Sequence, residues 1–263
     1  MSADTSFWNV RPAAHSRQLI LFPFLGGFGA SFNGLVNGLR SGWDIWTANP
    51  PGHGPSTIAP IDSLDELVAH YVDELDDVLR PGAVLFGHSM GGIIAYHVLA
   101  ALQQDARFGP NRIPADLILS AVRAPMRLTE DLWSQASDRD LIAHLIEFGA
   151  LPDLIAADPD LIGLFVPAFR ADYGVLEDAR RRPISKLDVR ARLVLGELDP
   201  QTPSGTADDW QRYFWRPLRT HTLPGEEHMF VRHAIEPIDA ILAEVRETPA
   251  EMIPPMSHAL LQK

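Results

Sequence analysis

The sequence predicts an α/β fold, a mainly parallel sheet with helices on both faces. Three observations predict it. Short apolar runs recur along the chain, at Leu19-Ile20-Leu21-Phe22, Ala83-Val84-Leu85-Phe86 and Arg192-Leu193-Val194-Leu195 among others. Stretches of helical periodicity separate them, and alternation of this kind implies parallel strands with helical crossovers. Glycine-rich turns follow several of the runs, as at Gly87-His88-Ser89-Met90-Gly91.

In order, residues 1–17 read as an N-terminal tail. The strand candidates are Leu19–Phe22, Asp44–Ala48, Ala83–Phe86, Asp116–Ala121, Arg192–Leu195 and Thr220–Leu223. Between the second and third lies Ser63–Leu79, where Leu64, Leu67, Val68, Tyr71, Leu75 and Val78 make an apolar stripe backed by acids. Ser63 followed by Glu66 has the spacing of a capping box. Residues 124–186 break the rhythm. They hold helical patterns at Asp138–Phe148 and Pro159–Tyr173 but no strand, and Leu141, Leu145, Phe148, Leu151, Leu154, Leu161, Leu164 and Phe165 are too apolar for a solvated loop. This segment reads as a helical lid inserted between sheet strands, so that residues 18–123 and 187–247 form the core. A last helix is expected over Ile235–Arg246, and residues 248–263, with three prolines in their run, read as a C-terminal tail.

Composition narrows the function classes. The 263 residues carry 22 basic and 34 acidic side chains, a net charge of −12, which disfavours nucleic acid or an anionic membrane as the main partner. Cysteine is absent, so there is neither a disulfide framework nor a thiol nucleophile. Residues 1–15 contain no apolar run suited to a signal peptide, and no segment reaches the roughly 20 apolar residues that span a bilayer. A cytoplasmic monomer is expected.

The chemistry centres on Gly87-His88-Ser89-Met90-Gly91. A strand that turns abruptly into a helix holds its apex residue in a strained conformation with the side chain pushed outward, and the glycines relieve crowding around it. The apex is Ser89. A serine hydroxyl needs a base, and the base needs an orienting acid. In an open parallel sheet both belong on loops at the carboxyl ends of later strands. Asp199 follows the run Arg192–Leu195, and His228 follows Thr220–Leu223. The order Ser89, Asp199, His228 is that of the α/β-hydrolase fold. Ser89 is read as nucleophile, His228 as general base and then acid, and Asp199 as the carboxylate that orients the imidazole. Glu197 is the rival acid, His221 and His233 are rival bases, Glu226 and Glu227 flank His228, His88 packs beside the nucleophile, and His53 shapes the rim. An oxyanion hole needs two backbone N–H groups. Met90 supplies one, and Leu25, in the loop Pro23-Phe24-Leu25-Gly26-Gly27, is favoured for the other. That glycine loop lacks the lysine of a phosphate-binding loop.

Taken together these motifs resemble the type II (editing) thioesterases that accompany nonribosomal peptide and polyketide synthases. The resemblance runs over roughly residues 18–245. It rests on Leu21–Gly27 with Ala30-Ser31-Phe32, on Pro51-Gly52-His53-Gly54, on Phe86–Gly92, on Gly196–Asp199 and on His228-Met229-Phe230. Its most specific part is in the lid, where Arg170, Asp172, Tyr173 and Glu177 match the family's R-x-D-Y…E pattern. The chain departs at Phe24, where many members carry histidine, and at His53, where many carry arginine. The resemblance implies hydrolysis of unwanted acyl groups from the phosphopantetheine thiol of carrier domains. It requires no metal and no bound cofactor, because the phosphopantetheine belongs to the substrate. An oxygen-ester hydrolase and a non-catalytic binding protein on the same fold are the alternatives. Carrier domains are usually acidic like this chain, so a basic patch is expected at the docking face, with Arg123, Arg127 and Arg180-Arg181-Arg182 as candidates.

Overall fold

The structure, a computed structural model, describes residues 5–40, 42–147 and 159–247. The expected C-terminal tail and residues Phe148, Leu151 and Leu154 of the expected lid lie outside these. Seven strands form one sheet: β1 (Phe7–Arg11), β2 (Arg17–Phe22), β3 (Trp43–Ala48), β4 (Val84–His88), β5 (Asp116–Ser120), β6 (Arg190–Gly196) and β7 (Arg219–Leu223). Their order is β1-β3-β2-β4-β5-β6-β7. β1 pairs antiparallel with β3, and every other pair is parallel. The chain leaves β2 for β3 on one side, then returns to place β4 on the other. The strand order therefore switches between β2 and β4, and the crevice above their carboxyl ends is where open α/β sheets bind ligands.

The helices are α1 (Asn33–Gly38), α2 (Leu64–Val78), α3 (Met90–Gln104), α4 (Asp138–Glu147), α5 (Pro159–Arg181), α6 (Thr206–Gln211) and α7 (Ile235–Glu247). Strand side chains alternate between two cores. Ile20, Phe22, Leu85, Leu117 and Leu193 belong to the core that includes the buried faces of α2, α3 and α5. Leu19, Leu21, Val84, Phe86, Ile118 and Val194 pack under α1 and α7. Both faces being buried explains why these strands read as unbroken apolar runs. Full burial of one such side chain contributes about 1.5–3 kcal/mol.

The structure departs from the sequence expectation in two places. Part of the expected N-terminal tail is strand β1, whose Phe7 ring packs edge-on against Phe22 and tilted against Tyr71. Its pairing partner lies over thirty positions on, in β3, so nothing local marks it. The capping box at Ser63 does not form, since the Ser63 side chain makes no cap bond. The neighbouring Leu64 N–H instead donates to Asp178 of α5 at 3.3 Å. Between β5 and β6 the described residues hold only helical segments.

Candidate active site

The site begins at the turn from β4 into α3. Ser89 has φ 52° and ψ −125°, a conformation rarely adopted by a residue with a side chain. Its N–H donates to the Ser120 carbonyl at 2.7 Å, which ties the apex to β5. The turn is so tight that a Cβ on Gly87 would stand 2.1 Å from the Gly91 carbonyl oxygen, and one on Gly91 2.1 Å from that of Phe22. Only glycine fits at either flank, as the motif requires.

The three residues read as nucleophile, base and acid converge. His228 Nε2 lies 2.9 Å from Ser89 Oγ, and its Nδ1 lies 2.8 Å from Asp199 Oδ2. The Asp199 side chain is fully buried and also accepts from the Gln201 N–H (2.8 Å) and the Thr202 hydroxyl (2.9 Å). Burial works to raise the Asp199 pKa. The hydrogen bonds from His228, Gln201 and Thr202 outweigh it and hold the carboxyl below its ordinary value. With an ionised carboxylate on Nδ1, the imidazole keeps its proton there and presents a basic Nε2 to Ser89.

The rival groups are elsewhere. Glu197 is exposed and accepts from the Gly225 N–H at 2.8 Å. His233 is exposed and pairs with Glu226 at 2.6 Å. His221 lies within β7, and its Nε2 is buried without a hydrogen-bond partner. His88 is fully buried beside His228, with ring centroids 5.7 Å apart, and its Nδ1 meets Ser120 Oγ at 2.9 Å. Burial, reinforced by the neighbouring His228, pushes the His88 pKa well below its ordinary value, so it forms a neutral wall. His53, expected on the rim, is instead 4% exposed, with its Nε2 3.1 Å from Asp172 of α5.

A cavity of about 220 Å³ opens over Ser89 and His228. Leu25 and Met90 line it, as do Ile93, Val122, Leu128 and Leu176, which make its wall largely apolar. Leu25 stands in a four-residue turn closed by the Gly27 N–H on the Phe24 carbonyl at 2.7 Å. A larger groove of about 620 Å³ lies between α2 and α3 and includes none of Ser89, Asp199 and His228.

The pattern Arg170, Asp172, Tyr173, Glu177 on α5 acts as a set of braces. Arg170 donates to the Ser134 and Ala136 carbonyls (2.6 and 2.8 Å), and Glu177 accepts from the Ser134 N–H and hydroxyl (2.9 and 2.6 Å). The turn they hold carries Trp133. The Trp133 ring lies flat on His144, and His144 Nε2 meets the Tyr173 hydroxyl at 2.8 Å. Trp133, His144 and Tyr173 all line the cavity. Sequence reading missed Trp133 and His144, because neither stands in a motif and their contact arises only when the turn before α4 folds back on that helix.

The basic patch expected for docking is largely neutralised. Arg180 pairs with Glu130, Arg181 with Asp178 at 2.8 Å and Arg182 with Asp65 at 2.5 Å. Arg127 is bidentate on Asp209, and Arg123 is bound to the Gln201 carbonyl. Among the described residues no helix is long and apolar enough to cross a membrane.

The family model of the thioesterase domain matches residues 17–246. Thioesterase PikA5 of Streptomyces venezuelae is 28% identical over 218 residues, which cover 81% of this chain and 76% of that protein. RedJ, a thioesterase from the prodiginine biosynthetic pathway of Streptomyces coelicolor, superposes with a TM-score of 0.78 at 26% identity, over 90% of this chain and 94% of that one. The type II thioesterase BorB from the borrelidin biosynthetic cluster superposes with a TM-score of 0.80 at 26% identity, over 94% of this chain and all of that one. With the elbow, the strand order and this match across most of its length, the chain belongs to the thioesterase-domain family and is a hydrolase of thioesters.

Proposed function

We propose that the chain clears acyl groups from the phosphopantetheine thiol of carrier domains in nonribosomal peptide or polyketide synthesis, with Ser89, His228 and Asp199 as its catalytic residues. One observation carries the mechanism. The hydrogen-bonded run Ser89–His228–Asp199 opens into an apolar cavity in a member of the thioesterase family. The carrier-bound substrate is supported by relatives named as thioesterases of biosynthetic pathways, BorB as the type II thioesterase of the borrelidin cluster and RedJ of the prodiginine pathway.

Ser89 Oγ attacks the thioester carbonyl carbon while its proton passes to His228 Nε2. The oxyanion that forms is met by the N–H groups of Met90, at the start of α3, and Leu25. The helix dipole of α3 adds its positive end there. The C–S bond breaks, His228 returns its proton to the departing thiol, and an acyl-serine remains. Water then attacks the acyl carbon and gives a proton to His228, and on collapse His228 returns that proton to Ser89 Oγ as the acid is released. A thiol is a good leaving group, so one histidine serves both halves. Every step uses this chain's own groups and water.

The test compares an acyl-carrier domain with a matched oxygen ester, for the parent and for Ser89→Ala. We expect the carrier thioester to be hydrolysed with the higher kcat/KM and Ser89→Ala to abolish it in a folded protein. Preference for the oxygen ester would overturn the substrate assignment. Undiminished turnover by Ser89→Ala would overturn the mechanism.

A further inference from the structure

Asp172 and His53 form a buried pair that the steps above do not use, and it stands against the loop that carries Leu25. The Gly26 N–H donates to Asp172 Oδ2 at 2.7 Å, and His53 Nε2 meets the same oxygen at 3.1 Å. Both side chains are at most 6% exposed. Gly26 is the third residue of the Phe24–Gly27 turn and has φ +69°, so the peptide held by Asp172 is the middle one of that turn. A four-residue turn has two common forms that differ by a flip of this middle peptide, and a positive φ at the third position selects one of them. An acceptor fixed on one side of the peptide holds that form. Phe169 closes the other degree of freedom. Its ring lies so near that a Cβ on Gly26 would stand 2.3 Å from it. Phe169 and Asp172 are three residues apart on α5, and so face the loop together.

His53 completes the arrangement. Its Nδ1 lies 3.0 Å from the Pro51 carbonyl and its Nε2 faces Asp172, so both ring nitrogens meet acceptors and the doubly protonated ring satisfies both. Burial works to lower the His53 pKa, and the Asp172 charge with these hydrogen bonds outweighs it and raises it. The loop after β3, through His53, thereby locks a carboxylate of the lid helix.

We infer that Asp172 and His53 are positioning residues that set the oxyanion-binding amide of Leu25 by fixing the Phe24–Gly27 turn, which makes the lid helix a structural part of the oxyanion hole. This rests on the catalytic reading above. It assigns the aspartate of the lid pattern a task at the reacting carbonyl's oxygen without contact to substrate.

The experiment measures kcat, KM and thermal stability for Asp172→Ala, Asp172→Asn and His53→Gln on one short acyl-pantetheine thioester, well below each melting temperature. It adds the affinity for a trifluoromethyl ketone, which forms an oxyanion on adding to a serine. Loss of one oxyanion donor lowers kcat by about 10²–10³, and misplacement of one costs a part of that. For Asp172→Ala we expect kcat to fall at least about tenfold with KM within about twofold, and ketone affinity to fall in proportion. Asp172→Asn keeps an oxygen for the Gly26 N–H and should recover most of the loss. Should Asp172→Ala fail to fold, His53→Gln is read for the same split between kcat and KM. A folded variant with parental kcat, or a loss shared equally by KM and not recovered in Asp172→Asn, overturns the inference. Ser89→Ala is run alongside. Its retention of activity would overturn the catalytic reading itself and is a different result from either.

Discussion

Trp133 and His144 lie face to face, 3.8 Å between centroids and 7° between planes. One comes from the turn before α4 and the other from α4 itself, and both line the cavity over Ser89. Burial pushes the His144 pKa down, so the stacked ring is uncharged near neutrality and adds an apolar wall. The pair forms part of the wall of the cavity over Ser89, and its removal enlarges that cavity. Trp133→Ala should raise kcat/KM for long acyl thioesters relative to short ones, by up to about fourfold for each methylene newly accommodated. A series of acyl-pantetheines from four to twelve carbons measures the shift. An unchanged chain-length profile in the folded variant would place the chain terminus elsewhere.

Asp199→Asn tests the orienting role without removing bulk. An amide fits the same buried space but has one accepting oxygen where the carboxylate has two, so it keeps the bond from Gln201 or that from Thr202, its charge is gone, and it can fix the wrong imidazole tautomer. Steady-state kinetics should show kcat lower by about 10³–10⁴ with a small change in KM, while circular dichroism stays parental. A loss below about tenfold would mean that another group orients His228, and Glu197, bound to the Gly225 N–H, is not placed to do so.

Charge reversal of Arg180, Arg181 and Arg182 addresses docking. Each guanidinium is already paired with a carboxylate, and such exposed pairs contribute about 0–1 kcal/mol. Their net field toward an acidic carrier is small. The triple variant Arg180→Glu, Arg181→Glu, Arg182→Glu leaves three like-charge pairs, so it is compared with the parent at about 1 M salt, where their field is screened within about 3 Å, and kcat/KM for a carrier-bound substrate should there change by less than about threefold. A large loss confined to carrier substrates, with small thioesters spared, would restore these arginines to the docking face.

How much of this was legible in the sequence follows from which interactions are local. The elbow is local: five residues dictate the turn, and flanking apolar runs name the strand and helix. Asp199 and His228 were legible because parallel strands deliver their following loops to one edge of the sheet, so chain order alone predicts convergence. β1 was not, since β3, its only strand partner among the described residues, is distant in sequence. The cap bond at Ser63 does not form, and the bond that the Leu64 N–H makes instead runs to Asp178 of α5, a distant partner that no local pattern records. His53 illustrates the same limit. A glycine-flanked histidine reads as an exposed loop residue, and only the lid helix folding over it makes it a buried partner of Asp172. Long-range polar contacts leave no periodicity to read.

His97 ties the fold's stability to pH. It lies on α3 and faces the larger groove, with its Nε2 buried and lacking a hydrogen-bond partner. Burial, aided by the charge of Arg182, lowers its pKa to about 4. In the unfolded chain a histidine titrates near 6.5. The folded state therefore resists a proton that the unfolded state accepts, and stability falls as pH drops below about 6.5, levelling off only below the folded value. The slope approaches about 1.4 kcal/mol per pH unit, so His97 alone removes about 2 kcal/mol between pH 8 and pH 5. His88 and His221, also shifted down chiefly by burial, act in the same direction, whereas His53, shifted up, opposes them. Urea unfolding of the parent and of His97→Gln at both pH values isolates the contribution. The variant should lose about 2 kcal/mol less than the parent on acidification, even if it is less stable at pH 8. Equal losses in the two proteins would show that His97 takes up its proton in the folded state, through an opening of the groove between α2 and α3.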